Sequence, residues 1–536
     1  MKKFIYLFFS LIIASGFVAC EPEFENPIDE TNNYNSGEAD FSNYVAVGNS
    51  LTSGYTNGTL YRSSQKNSFA AILAEQMKLA GGGEFTQPYM EDDVNDVGGM
   101  TFGGQVILAP KLVIDVSDGG PERINQTPTV DVTNIHPGPY NNMGVPAAKI
   151  FHLAAPGYGN LANLPLGKAN PFYVRMASSP DATIFEDVLA QNPTFFTLWI
   201  GANDVLWYAT GGGVGVDQDE AGNMDPSTYG SEDITNANVF AYIYNNIVTA
   251  LTANGAKGVV ATIPDVASVP YFTTIPYAPL NPATNAEYAA MIPVLNEKYG
   301  LLNQAFAYLG VPERSIVFPE DAPGALVVKD EALTDISNEL NAVLQASGVD
   351  AATATVLSAQ YGQCRPANAN DLIVLTAKSV IGQVNVEHMQ ELMAMGVPQA
   401  DAAQLSIEGI TYPMEDKWVL TADELAHVQN VTNKYNAIIQ GIAASNENVA
   451  VADMAAVMKE MTTGLVIEDG SIYTADYFNG TNLDELSFGL DGVHPTPRGY
   501  AIIANEFIDV IERNFGANLP KVIPANYPTF DILPTN

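Results

Sequence analysis

"PTFFTLWIGAND", Pro193 to Asp204, runs apolar from Phe195 to Ile200 with one threonine, then stops on Gly201-Ala202-Asn203-Asp204. An unbroken apolar run, in place of alternation, predicts a strand buried on both faces, and such strands belong to parallel sheets covered by helices on each side. Three further stretches read the same way: "NYVAVGNS" (Asn43–Ser50), "AKGVVATIPDV" (Ala256–Val266) and "ENVAVADM" (Glu447–Met454). Helix-like segments separate them. "NSFAAILAEQMKLA" follows the first. "TADELAHVQNVTNKYNAIIQGIAA" opens with Thr421 and Glu424 at capping-box spacing, and Leu425, Val428, Val431, Tyr435, Ile438 and Ile442 recur at helical intervals. "TPRGYAIIANEFIDVIERNF" carries Pro497 where a helix begins. Alternating strands and helices predict an α/β fold around a parallel sheet.

The chain has 536 residues, 47% of them hydrophobic, and a net charge of −38 from 22 basic and 60 acidic residues. Such a field repels phosphate backbones and anionic lipid head groups, which argues against nucleic-acid binding. The basic "MKK" and the apolar "FIYLFFSLIIASGFV" read as a signal peptide over residues 1–19, the run being shorter than a membrane span. Phe17-Val18-Ala19-Cys20 resembles a bacterial lipobox, which implies cleavage before Cys20 and lipid on its thiol; a plain secretory cleavage is the alternative. Residues 20–40, acidic and without periodicity, read as a flexible tether. The expected location is the bacterial cell envelope, lipid-anchored, at the outer membrane. Cys364 is then a lone thiol and reads as a spectator, and the usual multi-cysteine zinc sites are excluded.

Residues 41–516 read as one domain with insertions near 78–140, 207–235 and 310–420, followed by a tail over 517–536. The chemistry sits at element boundaries. Ser50 ends the first strand in a Gly-rich stretch. Asn203 ends the strand quoted first, and a side-chain amide there can reach a crevice at the sheet's carboxyl edge. In "GLDGVHPTPRGY", Asp491 and His494 lie three apart just before a helix. A carboxylate that close can fix the imidazole tautomer and stabilise the imidazolium. Turn and cap roles are the alternative reading of each. His136, His152 and His388 lack such a partner or sit within helix-like sequence, and His427 lies on the polar side of a helix. "DQDEAGNMD" places Asp217, Asp219 and Asp225 in one loop but misses the EF-hand spacing, so a solvated acidic loop is expected and no metal. No cofactor is expected.

Taken together, the chain resembles the SGNH hydrolases, also called GDSL esterases and lipases. "GNSLTSGY" matches the first block, "NNMGVPAAKI" the second, "GAND" the third and "DGVHP" the fifth, in the family's order. The resemblance implies a three-layer α/β/α, flavodoxin-like domain with about five parallel strands. It implies Ser50 as nucleophile, His494 as base, Asp491 as its partner, and an oxyanion hole from the backbone N–H groups of Ser50 and Ala147 with the Asn203 side chain. Gly144 is the fallback donor if the second block is registered differently. Two departures stand out: Asn49 replaces the usual Asp, and Ala147 replaces a usual glycine, which matters if that position needs positive φ. The implied activity is hydrolysis of a carboxylic ester, of a lipid or an acylated glycan. Acyl transfer on the same scaffold, and a non-catalytic binding lipoprotein, are the competing readings. The only membrane contact expected is the lipid anchor.

Overall fold

The structure, a computed structural model, describes residues 34–90, 96–115, 120–483 and 485–533. The expected signal peptide, Cys20 and most of the expected tether lie outside the described residues.

Five parallel strands form the central sheet: β1 (Tyr44–Gly48), β2 (Asn142–Gly144), β3 (Phe195–Trp199), β4 (Lys257–Ala261) and β5 (Val449–Ala452). Their order is β2-β1-β3-β4-β5. Tyr44 stands beside Phe195, Ala46 beside Asn142, and Val449 beside Gly258. The chain leaves β1 toward one edge and returns to build toward the other, so the order reverses at β1, and ligands in open α/β sheets bind at such a point.

The period of two sorts the strand side chains between two cores. Val45, Val47, Met143, Phe196, Leu198 and Val260 point into one. It is closed by a helix over Ala237–Thr252, and by the helix Ala422–Ala444 with Val428, Val431, Tyr435 and Ile439. Tyr44, Ala46, Phe195, Trp199, Val259 and Ala261 point into the other, closed by α1 (Phe69–Leu79) and the helix Pro497–Phe515. Helices therefore cover both faces, as the unbroken apolar strands require. Thr496 caps the last helix by accepting the Gly499 N–H at 3.1 Å, and Gly516, with φ +65°, ends it.

The extra segments differ from their sequence reading in three places. The last stretch of the expected tether packs on the body: Asn35 and Asn518 exchange backbone hydrogen bonds at 3.1 and 2.9 Å, and the Glu38 N–H donates to Phe515 O at 2.8 Å. The expected tail also docks, its Ile532 pairing with Ile114 of the first insertion. The third insertion starts earlier than 310. A helix over Ala286–Tyr308 supplies Tyr288, Ile292, Leu295, Tyr299 and Phe306 to a separate core shared with Leu340, Leu344, Tyr361 and Cys364. Pro293 inside that helix masks its pattern in the sequence.

Candidate active site

Beyond β1, Asn49 turns the chain. Its Oδ1 accepts the Leu51 N–H at 3.0 Å and caps one helical turn, Ser50–Ser53, which holds Ser50 above the sheet's carboxyl edge. The cap needs an acceptor oxygen, which Asn supplies as well as Asp does. Gly48 is required by close approach: a Cβ there would lie 2.2 Å from Thr52 Oγ1 and 2.4 Å from Trp199 O.

The segment before the last helix folds into a tight turn. The Gly489 N–H donates to His494 O at 2.8 Å, and Gly492 sits at φ +71°. The turn brings His494 Nε2 to 2.9 Å from Ser50 Oγ, with His494 Nδ1 3.1 Å from Asp491 Oδ2. Asp491 also accepts the N–H groups of Gly58 at 2.7 Å and of Val493 and His494 at 2.9 Å each. Burial pushes its pKa up, but its pairing with His494 and the N–H groups of His494 and Val493 outweigh it and hold the carboxyl below its ordinary value. An ionised carboxylate only accepts, so Nδ1 carries the proton and Nε2 is free to accept from Ser50. The Tyr55 ring lies tilted against the imidazole, with centroids 4.6 Å apart, and its hydroxyl donates to Gly58 O at 2.9 Å. Tyr55 and Gly58 went unread in the sequence. The available signal was "GYTNG", directly after the serine turn.

Asn203 opens the helix α2 (Asn203–Thr210) beyond β3. Its Nδ2 donates to Ala148 O at 2.9 Å, which leaves a second amide hydrogen for the cleft. Ala147 lines the same cleft and lies at φ +66°. Among the described residues, no acceptor takes the N–H of Ser50 or Ala147. Gly144 is corrected as a fallback donor: it lies within β2 and its N–H already donates to Asn142 Oδ1 at 3.0 Å. Asp204, fully buried, accepts the Ile150 N–H at 2.9 Å and so ties the Ala147 loop to α2; burial pushes its pKa up to about 6.

Two cavities meet at Ser50. One is a wide cleft of about 800 Å³ walled by Tyr55, Phe172, Trp207, Tyr271 and Tyr477, with Arg123, Glu232 and Lys378. The other, about 90 Å³, runs under the serine toward a helix over Met454–Met461.

The remaining candidates lie apart from Ser50. The Cys364 thiol is buried and donates to Tyr361 O at 3.4 Å, and burial pushes its pKa up. Burial lowers the pKa of His152 to about 3, and also lowers that of His388. His136 is exposed. The three aspartates of the acidic loop are not brought together: Asp219 pairs with Lys434 at 2.5 Å and Asp225 caps a turn at Ser227. Asp217 instead meets His427 Nε2 at 3.0 Å, with Glu220 near enough that the three could hold a cation; hydrogen-bonding and charge from Asp217 raise the His427 pKa.

No protein-family model, curated protein or solved structure matches the chain.

Proposed function

We propose that the protein is a serine ester hydrolase of the SGNH type. One observation carries the reading: a continuous hydrogen-bonded chain from Ser50 Oγ through His494 to Asp491, with distances of 2.9 and 3.1 Å, at the carboxyl ends of a parallel sheet. Serine, base and orienting carboxylate in that order are the parts of nucleophilic acyl transfer.

In this reading His494 Nε2 takes the proton as Ser50 Oγ attacks the ester carbonyl. Asp491 stabilises the imidazolium. The oxygen of the tetrahedral intermediate faces the N–H groups of Ser50 and Ala147 and the Asn203 amide. His494 then protonates the departing alkoxide, leaving an acyl-enzyme. Water enters where the alcohol left and attacks the acyl carbon as His494 takes its proton; the acyl carbon–Ser50 Oγ bond then breaks, His494 returns the proton to Oγ, and the acid is released with Ser50 restored.

The test is turnover of p-nitrophenyl esters by the chain from residue 21 onward, with Ser50→Ala alongside. The substitution should lower kcat by roughly 10⁴-fold or more. Equal turnover by the variant, or none by folded wild type on any ester, sinks the reading. Product analysis with sugar or alcohol acceptors separates hydrolysis from acyl transfer. The proposal places the enzyme at the bacterial envelope through lipid on Cys20, and metabolic labelling with a fatty-acid probe, absent in Cys20→Ala, tests that part.

A further inference from the structure

The two cavities at Ser50 differ in chemistry, and the difference says which half of an ester each takes. The wide cleft carries Arg123, Glu232 and Lys378 in its wall. In the narrow cavity the only titratable side chain is His494 itself. Its far wall is Met454, Met458 and Met461 from one helix, facing Val266, Val269 and Ile503. All six are buried apart from this cavity.

Resting on the hydrolase reading above, we propose that the narrow cavity is the acyl pocket and that it selects a short acyl chain of about three to four carbons. Three arguments converge. A hydrocarbon chain gains free energy for each methylene taken from water, and this cavity is lined mostly by apolar side chains, with Asn49, Ser50, Asn203, Ser487 and His494 as its polar ones. The alcohol must leave, and water must replace it beside His494, so the leaving group belongs in the wide cleft, which is aromatic but carries Arg123, Glu232 and Lys378. Size sets the length: an apolar cavity of about 150 Å³ takes the six carbons of benzene, so one of about 90 Å³ takes roughly three to four. Methionine side chains, unbranched and adaptable, suit a flexible chain.

The experiment measures kcat/KM for p-nitrophenyl esters of two to sixteen carbons, and for acetates of alcohols of increasing length, on wild type, Val266→Phe and Met458→Ala. For wild type the value should rise about fourfold per methylene to an optimum near four carbons and then fall. Val266→Phe, which fills the cavity, should move the optimum to shorter chains, and Met458→Ala should move it to longer ones. Alcohol length at fixed acetyl should have little effect. Melting temperature reports whether each variant is folded, and two substitutions acting in opposite directions keep the test alive if one fails to fold. An optimum at acetate or beyond six carbons, a profile that folded variants leave in place, or selection by the alcohol would overturn the pocket assignment while leaving the hydrolase intact. Absence of Ser50-dependent hydrolysis at every length overturns the hydrolase and the pocket together.

Discussion

Ala147 holds a backbone conformation that a Cβ resists, with φ +66°. The left-handed region costs an L-residue roughly 1–2 kcal/mol, and glycine gives back about 0.4–1 kcal/mol through the freedom of the unfolded chain. Ala147→Gly should therefore raise stability by about 0–1.6 kcal/mol, read as a higher urea midpoint at unchanged slope. Ester turnover should persist, because the N–H remains. On the proposed mechanism, Asn203→Ala removes an oxyanion donor and should lower kcat by about 10²–10³ with little change in KM. A change confined to KM would make Asn203 a ground-state contact. At this scale the sequence was legible wherever a residue's neighbours sit close in the chain. Asp491 and His494 are three apart, and Asn49 caps its own turn. Tyr55 and Gly58 were not legible, because the contacts that tie them to the site, with Tyr500 and Asp491, reach more than 400 residues along the chain.

The loop after α2 is fastened to the helix Ala422–Ala444. His427 Nε2 and Asp217 Oδ2 lie 3.0 Å apart, Lys434 pairs with Asp219, and the Tyr435 hydroxyl donates to Thr235 O. The hydrogen bond to Asp217 holds the His427 pKa above 6.5, with Glu220 adding to it and burial opposing. The folded state thus binds the proton more tightly than the unfolded one. The stabilisation is complete below about pH 6.5 and is lost as pH rises through the raised folded value. His427→Gln should lower the urea midpoint at pH 6 and change it little at pH 9; an equal loss at both would mean the imidazole acts by packing alone. The same helix shows what periodicity reads and what it misses. The capping box is present, with the Thr421 N–H donating to Glu424 Oε2 at 2.7 Å. The buried stripe, however, runs through Val428, Val431, Tyr435, Ile439 and Ala443, leaving Leu425, Ile438 and Ile442 at its margin. Spacing identifies a helix, but the surface it meets decides which side is covered.

A net charge of −38 repels itself across the whole molecule. Raising NaCl from about 0.01 M to 0.15 M shortens the screening length from roughly 30 Å to 8 Å, which weakens distant repulsion more than the contacts of paired groups. The melting temperature should rise over that range; a fall would mean that ion pairs such as Arg365 with Asp330 and Asp371 outweigh the net field. Sequence alone determined the α/β class, four of the five sheet strands and the local turns that present Ser50, Asn203, Asp491 and His494, because each depends on residues adjacent in the chain. Tertiary structure decided the rest. It set the strand order that makes β1 the switch point, the docking of both chain ends, the boundary of the third insertion and the closing of Ser50 to within 2.9 Å of His494. It also made the two cavities, whose walls are drawn from segments hundreds of residues apart. Local pattern encodes the conformation of a segment; which segments meet is fixed by burying all their apolar faces at once.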